Sequence, residues 1–158
     1  MGITANFNLD EIDEMFSNII DEMDSQIIET FQHAGEIAIS FARQPHAKDW
    51  HDQTHNLRSS IGYTIFRDGV AISGLFEAIN GGEEGVAEGK RLAQSVGKDT
   101  KGIALVVVAG MRYAIFVESK GYDVLTGAEL EATKHVSDEL KDMEANILKA
   151  LKEKFAFL

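Results

Sequence analysis

Two long stretches of three-and-four spacing and three short apolar runs divide this chain. Between residues 9 and 42 apolar side chains recur at Ile12, Met15, Phe16, Ile19, Ile20, Met23, Ile27, Phe31, Ala34, Ala38 and Phe41. Those steps mark one continuous helical face. Asn8 precedes the run and Glu11 follows it three residues later, as in a capping box. No proline interrupts the pattern before Pro45, the only one in the chain. At 1.5 Å per residue such a helix is about 50 Å long, more than a compact domain of this size spans, so part of its stripe is expected to pack on another subunit. The second long stripe runs through Leu130, Thr133, Val136, Leu140, Met143, Ile147, Leu151 and Phe155. Thr126 and Glu129 before it read as a T-x-x-E capping box, giving a C-terminal helix over 127–157.

Between the stripes the period changes. Residues 44–58 are polar and read as a loop. Ile61–Phe66 and Val70–Phe76 read as two strands, with Asp68-Gly69 as the tight turn of a hairpin over 60–76. Residues 80–102 carry six glycines. They read as a mobile connection with a short helix near Val86–Val96. "IALVVVA", Ile103–Ala109, is wholly apolar and predicts a central, covered strand. "RYAIFVESKGYDVL" fits a short helix or turn, then a brief strand at Tyr122–Leu125, completing the unit 103–125. The order implies a single α+β domain: a small, mainly antiparallel sheet with the long N- and C-terminal helices packed on one face.

Composition narrows the function classes. The chain has 158 residues, enough for one full core without staples. It has no cysteine, which excludes disulfides, a thiol nucleophile and a cysteine-ligated zinc. "MGITANFNLDEIDE" lacks the basic and apolar regions of a signal peptide, Asn6 stands where a myristoylation motif needs Ser or Thr, and no apolar run reaches the ~20 residues of a membrane span. The net charge is −11, with nine acids between Asp10 and Glu36. Such a surface repels phosphate, so specific nucleic-acid binding is not expected.

Several short stretches suggest chemistry. In "DWHDQTHNLRSS", His51 and His55 are four apart, and Asp49 and Asp52 could add oxygen ligands. The stretch lacks the glutamate of H-E-x-x-H and reads as a polar loop. Ser59 and Ser60 beside a histidine could suggest a hydrolase, yet the G-x-S-x-G elbow is absent. "GGEEGVAEGKR" fails the phosphate-loop pattern at Glu84 and Arg91, and its acids would repel phosphate. Glu118 is a lone carboxylate, expected in an ion pair with Arg58 or Arg112 or in a hydrogen bond to backbone. Phe7, Trp50 and Phe157 lie near helix ends and are candidate subunit contacts. No catalytic residue, cofactor or metal ligand is assigned.

Two separated segments carry a family likeness. "DQTHNLRSSIGYTI", residues 52–65, resembles the "tG-x-L-x-x-S-i" segment of the tail-component proteins of tailed, siphophage-type bacteriophages, also called head–tail joining, neck or tail-completion proteins. "RYAIFVESKG", residues 112–121, resembles their "Y-A-x-y-v-E-x-G" segment. Thr54, Leu57, Ser60 and Ile61 match the first. Tyr113, Ala114, Phe116, Val117, Glu118 and Gly121 match the second. His55 stands where the family has glycine, and "ESKG" carries one extra residue. The likeness covers residues 50–140. It implies a non-enzymatic phage or prophage structural protein, assembled in the host cytoplasm into the virion. It implies a homo-oligomeric ring between the connector and the tail-tube proteins, without cofactor or membrane. The acidic helix face would then suit a channel through which DNA slides. The alternatives are a small metal-dependent enzyme using His51 and His55, and a homodimeric binding module of a cellular operon.

Overall fold

The computed structural model describes residues 8–44 and 53–155. Five helices and three strands follow in the order α1 Leu9–Arg43, α2 Asn56–Ser60, β1 Ile61–Arg67, β2 Val70–Leu75, α3 Glu83–Gly97, β3 Ile103–Ala109, α4 Ala114–Ser119 and α5 Thr126–Phe155. The fold is α+β, with a three-stranded antiparallel sheet in the order β2-β1-β3. The hairpin turn forms at Asp68 and Gly69, both at positive φ (49° and 78°), the geometry whose twist matches the flanking strands. Asn8 caps α1 by accepting the Asp10 N–H at 3.1 Å, which satisfies one of the amides left open at a helix start.

Alternation along β1 sends its side chains to two cores. Ile61, Tyr63 and Ile65 face α1 and α5, packed with Ala34, Ala38, Ile39, Ala128 and Ala132. Phe66 faces the other side, with Val106, Val108 and Ala93. Arg43 at the end of α1 donates to the Ile61 carbonyl at 2.8 Å and pairs with Glu77 at 3.1 Å, which fixes the helix end to the start of β1.

Four expectations from the sequence need correcting. β3 is an edge strand rather than a central one. Its apolar run is explained by helices, since α1 packs on one face and α3 on the other, with α5 across a groove beside α1. Residues 56–60 form the helix α2 rather than a loop. Tyr122–Leu125 form no strand, because their amides are captured at the start of α5. The helix expected near Val86–Val96 is present but longer, a packed helix of 15 residues over Glu83–Gly97 that takes up most of the stretch read as a mobile connection. Gly85, Gly89, Ala93 and Gly97 are four apart and all buried, so they form one smooth stripe. A Cβ on Gly89 would stand 2.5 Å from the Ser60 carbonyl, and one on Gly85 would overlap the Asn56 carbonyl. The missing side chains let α3 touch α2 backbone to backbone and seat the Phe66 ring of β1 against Gly97.

Gly85→Ala separates these effects. Alanine gains roughly 1 kcal/mol of helix propensity. The overlap with a backbone oxygen costs about 1–3 kcal/mol, as overpacking does. A lower thermal midpoint for G85A is therefore expected, and an equal or higher midpoint would contradict the close approach of α3.

Candidate functional site

The two motif segments lie about fifty residues apart in the chain and share one core, where Leu57 and Ile61 lie with Ala114 and Val117, while Ser60 bonds to Gly110 and Met111 just before the second segment. The Ser60 hydroxyl donates to the Leu57 carbonyl at 2.8 Å and accepts the Met111 N–H at 3.3 Å. The Ser60 carbonyl accepts the Gly110 N–H at 3.2 Å. Leu57, Ser60, Ile61 and Ala114 are all buried there, and Val117 packs against the same core. Thr54 lies at the surface, and Phe116 is exposed. Ser59 is also fully buried, and its hydroxyl accepts the Ile79 N–H at 2.9 Å. Both serines are therefore committed to holding backbone.

Glu118 performs a capping task. Its Oε2 accepts the N–H groups of Val124 at 2.7 Å and Leu125 at 3.1 Å, and its Oε1 accepts the Thr126 hydroxyl. Asp123 accepts the Gly127 N–H at 3.0 Å. Thr126 and Glu129 thus do not form the expected box. The start of α5 is capped from outside, by Glu118 of α4 and by Asp123. Glu118 pairs with backbone rather than with Arg58 or Arg112. Burial pushes its carboxyl upward, but the Thr126 hydroxyl and the amides of Val124, Leu125 and Thr126 outweigh burial and hold it below its ordinary value. Gly121 sits at φ 83°, and its N–H closes onto the Glu118 carbonyl at 2.9 Å, so it reverses the chain after α4.

His55 occupies the left-handed region at φ 57°, at the entry to α2, and its side chain makes no capping bond. That is the position where the phage-family motif carries glycine, and positive φ is a physical reason for glycine there. Asp49, His51, Asp52 and Trp50 lie outside the described residues, as do Phe7 and Phe157. Among the described residues no group of three or more His, Asp or Glu is arranged to hold a metal ion, and no helix is long and apolar enough to cross a membrane.

The surface holds features that no motif signalled. The first half of α1 runs beyond the sheet beside the last third of α5, as a two-helix arm. All five buried residues of α1 lie between Ala34 and Ala42. Farther out, Leu9, Phe16, Ile20 and Leu148 are exposed. One side of the arm is a crevice of about 650 Å³ between α1 and α5. It continues inward as a polar crevice of about 680 Å³, where the rings of His33 and His135 stand 6.0 Å apart. An apolar groove of about 530 Å³ follows β3 beside α5. A signal for the arm was present in the sequence, since the α1 stripe is longer than any sheet this short could cover.

Comparison with protein-family models, with curated proteins and with solved structures finds no match to this chain. The functional reading therefore rests on the two motifs and on the geometry.

Two outcomes test the site. The Glu118 carboxyl is depressed in the folded chain, so its stabilisation is complete above its unfolded value. It is lost as pH falls through the folded one. Glu118→Gln should cost about 1–3 kcal/mol at neutral pH, the value of charge-assisted bonds. In urea unfolding the gap to the parent should close in acid; a gap independent of pH would remove the capping carboxylate. At position 55, glycine relieves about 1–2 kcal/mol of left-handed cost and returns roughly 0.5–1 kcal/mol of chain entropy. His55→Gly should therefore leave stability level or slightly raised, while His55→Val lowers it. A large loss in H55G would give the imidazole a role that its geometry lacks.

Proposed function

We propose that this chain is a non-enzymatic structural protein of a tailed phage or prophage. In this reading it assembles as a ring at the head–tail joint or tail terminus, between the connector and the tail tube. The observation that carries the reading is the core shared by Leu57 and Ile61 of one segment with Ala114 and Val117 of the other. Two segments that resemble motifs of one family meet in space, and their polar residues are spent on backbone. A hydrolase would need Ser59 or Ser60 accessible and paired with a base, whereas both are buried and bonded to main chain. A general acid at Glu118 would need a free proton, whereas that carboxylate accepts three hydrogen bonds.

The surface supports assembly for separate reasons. In the sheet order β2-β1-β3, both outer strands leave one edge unpaired among the described residues. Exposed Val70 and Ile72 lie on β2, and an apolar groove flanks β3. Unpaired edges template further pairing. Two different edges on opposite sides of one subunit suit a head-to-tail contact, the kind that closes into rings. The acidic face of α1 gives the DNA backbone nothing to grip, so DNA would pass such a ring without sticking.

The test is assembly on its template. Phage particles produced without this chain are mixed with the purified protein and imaged by electron microscopy. A ring of added density at the portal end, with tails then joined, is the expected result. Absence of binding at any concentration would contradict the proposal. A monomer in solution alone would be uninformative, because assembly proteins often close only on their template.

A further inference from the structure

The outer crevice of the α1–α5 arm combines an apolar floor with an acidic rim. Met15, Ile19 and Met23 of α1 face Ile147, Ala150 and Leu151 of α5 across it. Glu11, Glu14 and Glu22 form its rim, with Asn18, Gln26 and Asn146 between them. Among the described residues none that lines it is basic. The acidic sign belongs to the α1 side, which carries eight carboxylates and no lysine or arginine between Leu9 and Gln32, while Lys149 and Lys152 of α5 flank the opposite wall. Two helices side by side leave a groove of the width a third helix fills, at interaxial distances of about 8–10 Å. The floor runs from Glu11 to Gln26. That length matches a helix of about 15 residues, or four turns.

From this combination we infer that the arm is a docking groove for a basic amphipathic helix of a partner protein. The apolar face of that helix would rest on the methionines and isoleucines, and its lysines or arginines would meet the glutamate rim. Methionine suits such a floor, because its flexible thioether adapts to side chains of different shape. Apolar anchors at spacings of three and four residues are how a groove of this kind reads a helix. The charge selects the occupant. A second copy of this chain would bring another acidic α1 towards the same rim, in a molecule of net charge −11, and like charges across an interface cost affinity. A basic helix removes that repulsion and gains electrostatic steering as well. The groove stands independently of the head–tail reading and would remain if that reading failed.

Fluorescence anisotropy with a labelled helical peptide tests it. The probe is about 15 residues of leucine and lysine in amphipathic spacing, and its counterpart carries glutamate for every lysine. Four forms of the full chain are compared: the parent, Glu14→Lys with Glu22→Lys, Met15→Asp, and Asp99→Lys with Glu131→Lys. The last reverses two exposed acids outside the groove, for the same change in net charge. The account expects saturable one-to-one binding of the lysine peptide and none of the glutamate peptide. It expects affinity about tenfold weaker for both groove variants and unchanged for the remote reversal. Equal weakening by the two double reversals would reduce the effect to net charge and overturn the inference. Absence of saturable binding would overturn it too, as would a parent dimer in sedimentation that Met15→Asp dissociates. The rim reversal alters only exposed side chains, so it remains decisive even if Met15→Asp loosens the arm.

Discussion

The burial of β1 on both faces is the constraint on which the rest of the structure depends. This strand is paired on both sides and covered by α1 above and α3 below, so each covering helix must approach it closely. At both places an aromatic ring of β1 meets a glycine. Tyr63 lies against Gly35 of α1, where a Cβ would stand 2.6 Å from the ring, and Phe66 lies against Gly97 of α3. Burial is also the leading reason that the Tyr63 hydroxyl ionises above its ordinary range, with the charge of Glu36 adding to it. Dense packing of this kind leaves little room for change, because interiors are filled as tightly as organic crystals.

Around that strand the polar groups divide cleanly by task. Ser59, Ser60, Glu118 and Asp123 each meet a backbone amide that would otherwise be left open at a turn or a helix start. The apolar groups divide differently. The half of α1 near the sheet is buried, while its outer half, the two sheet edges and the groove along β3 keep apolar surface exposed. A chain whose polar motif residues hold the fold, and whose unsatisfied surfaces are apolar edges and a grooved arm, supports the proposed role in association. That contrast is why the assembly reading fits better than an enzymatic one.

Much of this was legible in the residues. The α1 stripe, its Asn8 cap, the Asp68-Gly69 hairpin and the α+β class follow from local patterns that the tertiary structure leaves intact. The misreadings share a cause: each depended on what lies across space. Glycine was read for its freedom, yet the four-residue spacing of Gly85, Gly89, Ala93 and Gly97 signals close packing, and that spacing was visible. An apolar run such as Ile103–Ala109 reports burial but not which element supplies it, so a strand covered by helices resembles a strand flanked by strands. Thr126 and Glu129 fit a capping pattern, but Glu118 from a separate helix takes the Thr126 hydroxyl and the Val124 and Leu125 amides, and the Glu129 amide bonds to the Leu125 carbonyl. The positive φ at position 55 could not be read from a histidine; only the family's glycine hinted at it. Of the motif residues, Leu57, Ile61, Ala114 and Val117 share one core while Thr54, Tyr113 and Phe116 lie at the surface, and the tasks of the polar ones became readable only from their hydrogen bonds.

Removing the gene tests the central claim most directly. Under the proposed role the gene belongs to a phage or prophage, and its deletion leaves filled heads and finished tails separate in the same lysate, with joining restored by the protein supplied in trans. Infectious, fully tailed particles at the normal yield without it would contradict a role at the head–tail joint.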